Sequence, residues 1–260
     1  MNVALITGAS SGIGEGFARR LAADGRDLVL VARREKQLHE LCDELMLKHK
    51  ITAHYVVLDL TEPDAGERLF AETTRHGMTV DLLINNAGFG SSGDFALLDR
   101  DLELQMIDLN IRSLVDLTHR YLVGMRERNG GTIVNVSSAA GFQPIPFMAT
   151  YAATKAFVSS FSEAIAEENR PFGIQVLALC PGSTDTNFFA ASGIERPIEF
   201  KGQQTIEDVV ETGMRAIASG RTKVVSGLVN KMGAMAGKFV PNAISRRAMA
   251  KILAPRYRKS

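Results

Sequence analysis

The sequence predicts an α/β fold, a doubly wound parallel sheet with helices on both faces. Three observations predict it. Short apolar runs alternate with helical patterns, with no long linker between them. A glycine-rich turn, Thr7-Gly8-Ala9-Ser10-Ser11-Gly12-Ile13-Gly14, joins the first run to the first helix. The length, 260 residues, suits one such domain better than two.

Each element follows from its pattern. Val3 to Ile6 reads as a buried strand, and the next helix carries Ile13, Phe17, Ala18 and Leu21 on one face. Asp27 to Ala32 is the second strand. Glu35 to Lys48 is a helix with Leu38, Leu41, Leu45 and Met46 facing inward. His54 to Leu58 and Asp81 to Ile84 are the third and fourth strands. One long helix is expected over Arg100 to Arg126. Gly131 to Val136 is strand five, Thr150 to Glu168 a helix and Ile174 to Leu179 strand six. Thr205 to Ser219 is a further helix, and Lys223 to Val225 a short last strand. Ligands of such sheets bind beyond the carboxyl ends of the strands.

Composition narrows the function. The net charge is +1, so no global field favours nucleic acid. Cys42 and Cys180 are far apart and read as reduced thiols, which gives a cytoplasmic expectation. The first strand starts at once, without a secretory signal pattern. The longest uncharged stretch, Asn129 to Thr154, contains Gln143, Pro144 and Pro146 and is not a membrane span. Histidines 39, 49, 54, 76 and 119 form no metal-ligand spacing, and His39 with Cys42 supplies only two ligands. No metal is expected.

Two patterns carry chemistry. Gly8, Gly12 and Gly14 permit a tight turn, close approach of backbone to a pyrophosphate, and close helix–strand packing. With Ser10, Ser11 and Ile13 they put the N–H groups of a helix start at a phosphate site. Further on, Tyr151 and Lys155 stand four apart on one helix face. An ammonium beside a phenol is expected to lower the tyrosine pKa from ~10 toward working pH.

The set T-G-x-x-x-G-x-G, Asn85-Asn86-Ala87-Gly88, Asn110, Ser138, Tyr151, Lys155 and Pro181-Gly182 occurs in order. It resembles the short-chain dehydrogenase/reductase family, over residues 1 to about 190. The resemblance implies a single-domain Rossmann-type oxidoreductase. Residues 1–130 would mainly hold the cofactor. Residues 131–260 would carry the catalytic groups, the substrate loop and a basic C-terminal segment. It implies Tyr151 as proton donor and acceptor, and Ser138 as hydrogen-bond partner of the substrate oxygen. Lys155 would tune Tyr151 and hold the nicotinamide ribose, while Asn110 would anchor a water near Lys155. Ser137 competes with Ser138. The thirteen-residue spacing to Tyr151 and strand alternation favour Ser138.

No acidic residue follows the second strand, where Arg33 and Arg34 stand instead. Arginine pairs with the 2′-phosphate of NADP(H), so NADP(H) is preferred over NAD(H), with Arg33 the first candidate and Arg34 assisting. A solvated basic helix start is the plainer reading. The resemblance places Asp59-Leu60 at the adenine and Asn86-Ala87-Gly88 at its ribose. It places Pro181, Gly182, Thr184 and Thr186 at the nicotinamide end. Ser183 and Thr184 depart from the aliphatic residue usual there.

Three loops, Phe89 to Phe95, Phe142 to Phe147 and Asn187 to Lys201, are rich in apolar and aromatic groups and poor in charge near the catalytic residues. They suit an apolar ketone, aldehyde or secondary alcohol. The plainer reading is that single rings only pack the loops. Lys238 to Ser260 carries seven basic residues and no acidic one. Phe239, Val240, Ile244, Met249, Ile252 and Leu253 are expected along one side of a helix there. That helix would cover the substrate site, contact a second subunit, or lie on an anionic membrane surface. By resemblance, subunits pair into a homodimer or homotetramer through the helices over Arg100–Arg126 and Thr150–Glu168. The competing functions are a non-catalytic NADP-binding sensor and a non-redox reaction such as epimerisation or dehydration.

Overall fold

The strands are β1 (Asn2–Thr7), β2 (Asp27–Ala32), β3 (Ala53–Val57), β4 (Thr79–Asn85), β5 (Gly131–Val136), β6 (Ile174–Cys180) and β7 (Lys223–Val225). The helices are α1 (Gly12–Ala23), α2 (Glu35–His49), α3 (Ala65–Arg75), α4 (Arg100–Ile107), α5 (Leu114–Glu127), α6 (Ala149–Asn169), α7 (Ile206–Ala218) and α8 (Asn242–Tyr257). This computed structural model describes residues 1–184, 203–228, 230–232 and 242–257.

All seven strands are parallel, in the order β3-β2-β1-β4-β5-β6-β7. Strand residues alternate between two apolar layers. Ala4, Ile6, Leu28 and Leu30 meet Phe17 of α1, Leu38 and Leu45 of α2 and Val209 of α7. Val3, Leu5, Val29 and Val31 meet Leu69 of α3, Leu117 and Tyr121 of α5 and Ile165 of α6. Both faces of the sheet are thus covered, which explains the near-continuous apolar runs of the strands. Chain direction across the sheet reverses between β1 and β4. A ligand crevice is expected at that point, beyond the strands' carboxyl ends.

Several elements differ from expectation. α3 lies in a segment with no anticipated helix. The expected single helix over Arg100–Arg126 is broken by a π-helical segment, Asp108–Ser113. One extra residue per turn there turns Asn110 inward, where it is buried. The expected apolar side of α8 also fails. Leu253 is 1% exposed, whereas Ile244 and Ile252 face solvent. Around a helix, position 244 lies roughly opposite 253 and position 252 about 100° from it, so no one side can hold all three. Phe239 and Val240, like Thr186 and the Asn187–Lys201 loop, lie outside the described residues. Among the described residues no helix is long and apolar enough to cross a membrane, and no His/Cys/Asp/Glu group has metal-site geometry. Cys42 and Cys180 are free and buried.

Candidate active site

The turn after β1 and the end of β4 are clipped together at the reversal point. Thr7 Oγ1 accepts hydrogen bonds from the backbone N–H groups of Asn86 and Ala87, each at 2.9 Å. Asn86 Nδ2 donates back to Thr7 O at 2.9 Å. Gly8 and Gly12 hold φ of +66° and +62°. A Cβ on Gly8 would lie 2.8 Å from Asn86 Nδ2, and one on Gly14 would collide with Gly8 O. Only glycine allows α1 to start this close to the strands. Ser11, the α1 N-cap, is extended and makes no side-chain capping bond. The first N–H groups of a twelve-residue helix are thereby left for an anion. Ile13 packs partly into the core.

Arg34 lies against this turn. Its Nε and Nη2 donate to Ser10 Oγ at 3.1 and 3.0 Å, and Nη2 also to Ser10 O at 3.1 Å. Arg33 stands 3.6 Å from the Asp59 carboxylate and is largely exposed. Burial raises the Asp59 pKa, but hydrogen bonds from Thr61 and the Arg33 charge outweigh it, for a net lowering. Leu60 is buried in the second apolar layer, so only its backbone is available to a ligand. The uncapped helix start and these two guanidinium groups together fit a dinucleotide with an extra phosphate.

Farther along the same edge, β5 runs out into Ser137 and Ser138, which diverge as strand alternation requires. Ser137 is buried, donates to Lys155 O at 2.7 Å and pairs with Ser159 Oγ at 2.8 Å. Ser138 caps a short 3-10 turn, Ala139–Phe142, accepting from Ala140 N at 3.1 Å. Its hydroxyl is also near enough to the Tyr151 phenol to act against the rise of that phenol's pKa. Gly141 lets that turn sit on α6, because a Cβ there would be 2.7 Å from the Lys155 carbonyl carbon.

Tyr151 and Lys155 are 7% and 4% exposed. Lys155 Nζ donates to Val136 O at 2.9 Å and lies 5.9 Å from the Tyr151 ring centroid. The expected lowering of the phenol pKa is therefore not found in the ligand-free protein. Burial pushes Tyr151 up to about 12, the Ser138 hydroxyl opposing it, and burial pushes Lys155 down to about 8. Desolvation wins because the ammonium's hydrogen bond goes to a carbonyl.

Asn110, at the centre of the π-helical segment, holds the first substrate loop. Its Oδ1 accepts from Phe89 N at 3.2 Å, and its Nδ2 donates to Phe89 O at 2.9 Å and to Thr154 Oγ1 at 3.1 Å. Thr154 Oγ1 in turn donates to Tyr151 O at 2.8 Å. Gly88 leaves room beside these groups, since a Cβ there would lie 2.8 Å from Asn110 Oδ1 and 3.5 Å from Lys155 Nζ. Pro181 O accepts from Ala139 N at 2.7 Å, and Thr184 Oγ1 donates to Gly182 O at 3.2 Å.

The substrate side is apolar at the phenol. Met106, Met148 and Tyr151 cluster with Phe89, Ala140 and Ile145. Two other rings of these loops lie away from this cluster. Phe142 lies under Lys223 Nζ at 4.8 Å, and Phe95 stands in solvent. The sequence did not single out a role for Thr7 or Thr154. Each is a hydroxyl beside a recognised motif residue, and that adjacency is the only signal of its role.

Comparison with known proteins agrees with this geometry. The family model for the short chain dehydrogenase matches residues 2–197. The chain belongs to the short-chain dehydrogenase family. That family is one of oxidoreductases. The chain is 33% identical, over 218 residues, to a very-long-chain 3-oxoacyl-CoA reductase of Bos taurus, covering 82% of this chain and 68% of that protein. It spans only 58% of the Macaca fascicularis protein of the same description, at 35% identity over 68% of this chain. A short-chain dehydrogenase from Sphingobium yanoikuyae, solved in complex with NADPH, superposes with a TM-score of 0.83 at 31% identity, covering 92% of this chain and 93% of that one. A bulky-bulky ketone specific alcohol dehydrogenase from Comamonas testosteroni gives 0.78 at 28% identity, over 100% and 96%.

Proposed function

We propose that this short-chain dehydrogenase is an NADP(H)-dependent carbonyl reductase or secondary alcohol dehydrogenase acting on apolar ketones, aldehydes or alcohols. The observation that carries the reading is the convergence of Ser138, Tyr151, Lys155 and Asn110 beside an apolar wall. Bound NADPH supplies a hydride to the carbonyl carbon. The glycine turn, Asn86-Ala87-Gly88 and Asp59 hold the nucleotide. Arg33 and Arg34 would favour its 2′-phosphate, and Pro181-Gly182 with Thr184 would hold its nicotinamide end. The Arg34–Ser10 bonds hold the Arg34 guanidinium against the glycine turn, where its charge would meet a phosphate.

The chain's own residues do the rest. Ser138 and Tyr151, close together at the end of β5 and the start of α6, receive one substrate oxygen. Both donate to the charge that develops on it, in a site that excludes water. With its pKa near 12, Tyr151 is a neutral phenol at pH 7 and enters reduction with its proton in place. Lys155 offers its ammonium to the ribose hydroxyls and helps the phenolate form after transfer. Asn110 and Thr154 fix the loop and the helix turn around it. Exposed Leu104 and Ile107 of α4, Val123 of α5 and Phe157 of α6 suit pairing of two subunits.

The test is NADPH oxidation against short and long methyl ketones, aldehydes and 3-oxoacyl thioesters, with NADH in parallel. Turnover preferring NADPH supports the reading. Tight NADPH binding with no turnover of any carbonyl would count against it.

A further inference from the structure

Three consecutive residues of the first substrate loop are fastened to three different elements. Ser91 Oγ donates to the buried carboxylate of Glu103 on α4. Ser92 Oγ accepts from the Tyr257 hydroxyl, in the last turn of α8, at 2.8 Å. Gly93 N donates to Phe147 O, in the second substrate loop, at 2.8 Å. The Tyr257 ring closes the figure by stacking on the Phe147 ring, with centroids 5.2 Å and planes 24° apart. Phe147 holds φ of +65°, a conformation that a bulky residue keeps only where its surroundings enforce it. Buried Leu253, one turn before Tyr257, anchors the helix end that delivers the ring.

The two loops joined here are the ones that build the apolar wall at the phenol. Phe89 lies two residues before Ser91, and Ile145 and Met148 flank Phe147. All three pack in the Tyr151 cluster. Tyr257 thus stands one layer behind that wall.

We propose that Tyr257 is a specificity-determining positioning residue. By pinning α8 across both loops it fixes the wall against which the part of a substrate remote from the carbonyl packs. This rests on the carbonyl reductase reading above. The reacting groups are held by other bonds, Lys155 by Val136 O and Ser138 by Ala140 N. Loosening the wall therefore weakens binding of long or bulky substrates and leaves the chemical step nearly intact. Interactions shared equally by ground and transition state appear in KM, not kcat.

The experiment uses the full chain with NADPH, a short and a long methyl ketone (2-butanone and 2-undecanone), and the variants Tyr257→Ala, Tyr257→Phe and Ser92→Ala. Tyr257→Ala removes both a hydrogen bond and a ring stack. KM for 2-undecanone is expected to rise about tenfold, with kcat within about twofold and KM for 2-butanone nearly unchanged. Tyr257→Phe keeps the stack and should show about a threefold rise, as should Ser92→Ala. Combining those two should add nothing, because they break the same bond. Amide hydrogen exchange across residues 89–98 should quicken in Tyr257→Ala. Equal KM rises for both ketones, or a loss confined to kcat, would overturn the specificity role. Unchanged exchange in Tyr257→Ala would overturn the clasp itself. A wild type that turns over neither ketone strikes the reductase reading and takes the specificity role with it, while the exchange result still judges the clasp.

Discussion

Lys155 is a buried ammonium that donates to Val136 O, and that arrangement predicts a stability signature. Its pKa is about 8 in the folded chain, against 10.5 for a free lysine side chain. The unfolded chain therefore binds this proton more tightly. The linked stability is fully present above pH 10.5 and is lost as pH falls through 8. Each pKa unit corresponds to about 1.4 kcal/mol, so two to three units give roughly 3 kcal/mol. Lys155→Met keeps most of the apolar stem and removes the titrating group. Urea unfolding followed by circular dichroism, at pH 7 and pH 10, would measure both proteins. The stability of wild type minus that of Lys155→Met should rise by roughly 2–3 kcal/mol between the two pH values. Tyr151 shifts the other way: its raised pKa gives stability that is present below pH 10 and lost as pH rises through 12. Measurements therefore stop at pH 10. A difference that does not change with pH would show that the ammonium is solvated, and would refute the burial argument.

Four further outcomes are expected. Arg34→Ala should weaken NADPH binding about tenfold or more and NADH less than twofold, read by cofactor fluorescence, since a charge-assisted phosphate bond is worth about 1.5–3 kcal/mol. Equal losses for both cofactors would remove the phosphate role. Gly141→Ala should destabilise by about 1–3 kcal/mol, because its Cβ would press on the Lys155 backbone. Gly130→Ala, with open space around it, should stay within about 0.5 kcal/mol, and calorimetry distinguishes the two. Thr154→Val leaves Asn110 Nδ2 without its α6 acceptor, and should cost about 1–3 kcal/mol and lower kcat, with Thr154→Ser restoring both.

The sequence disclosed most where a pattern has one physical solution. β2, β5 and β7 run between the expected residues, because each is an apolar or β-branched run ending at a turn. The glycine turn, Ser138, Tyr151, Lys155 and Asn110 come together at the strand ends as their order implied. Four things were not legible. α3 does carry an amphipathic helical pattern, but the face it buries, Ala65, Gly66, Leu69 and Thr73, holds one large apolar side chain, so it does not stand out as an apolar run. The π-helical break at Asn110 changes the period for a single turn, which a helix-long pattern averages away. The acid–base balance at Tyr151 was read from Lys155 alone. Burial, which sequence spacing does not report, decides it. Tyr257 had no motif beside it, and only the fold brings it to Ser92 and Phe147.

The central claim is that Tyr151 transfers the proton in an NADPH-dependent carbonyl reduction. Its most direct test is the steady-state rate of NADPH oxidation by wild type and Tyr151→Phe on the same ketone, with NADPH affinity measured alongside. The account predicts a loss of about 10²–10⁴ in kcat with affinity within about twofold. A Tyr151→Phe protein that reduces the ketone at the wild-type rate would contradict it.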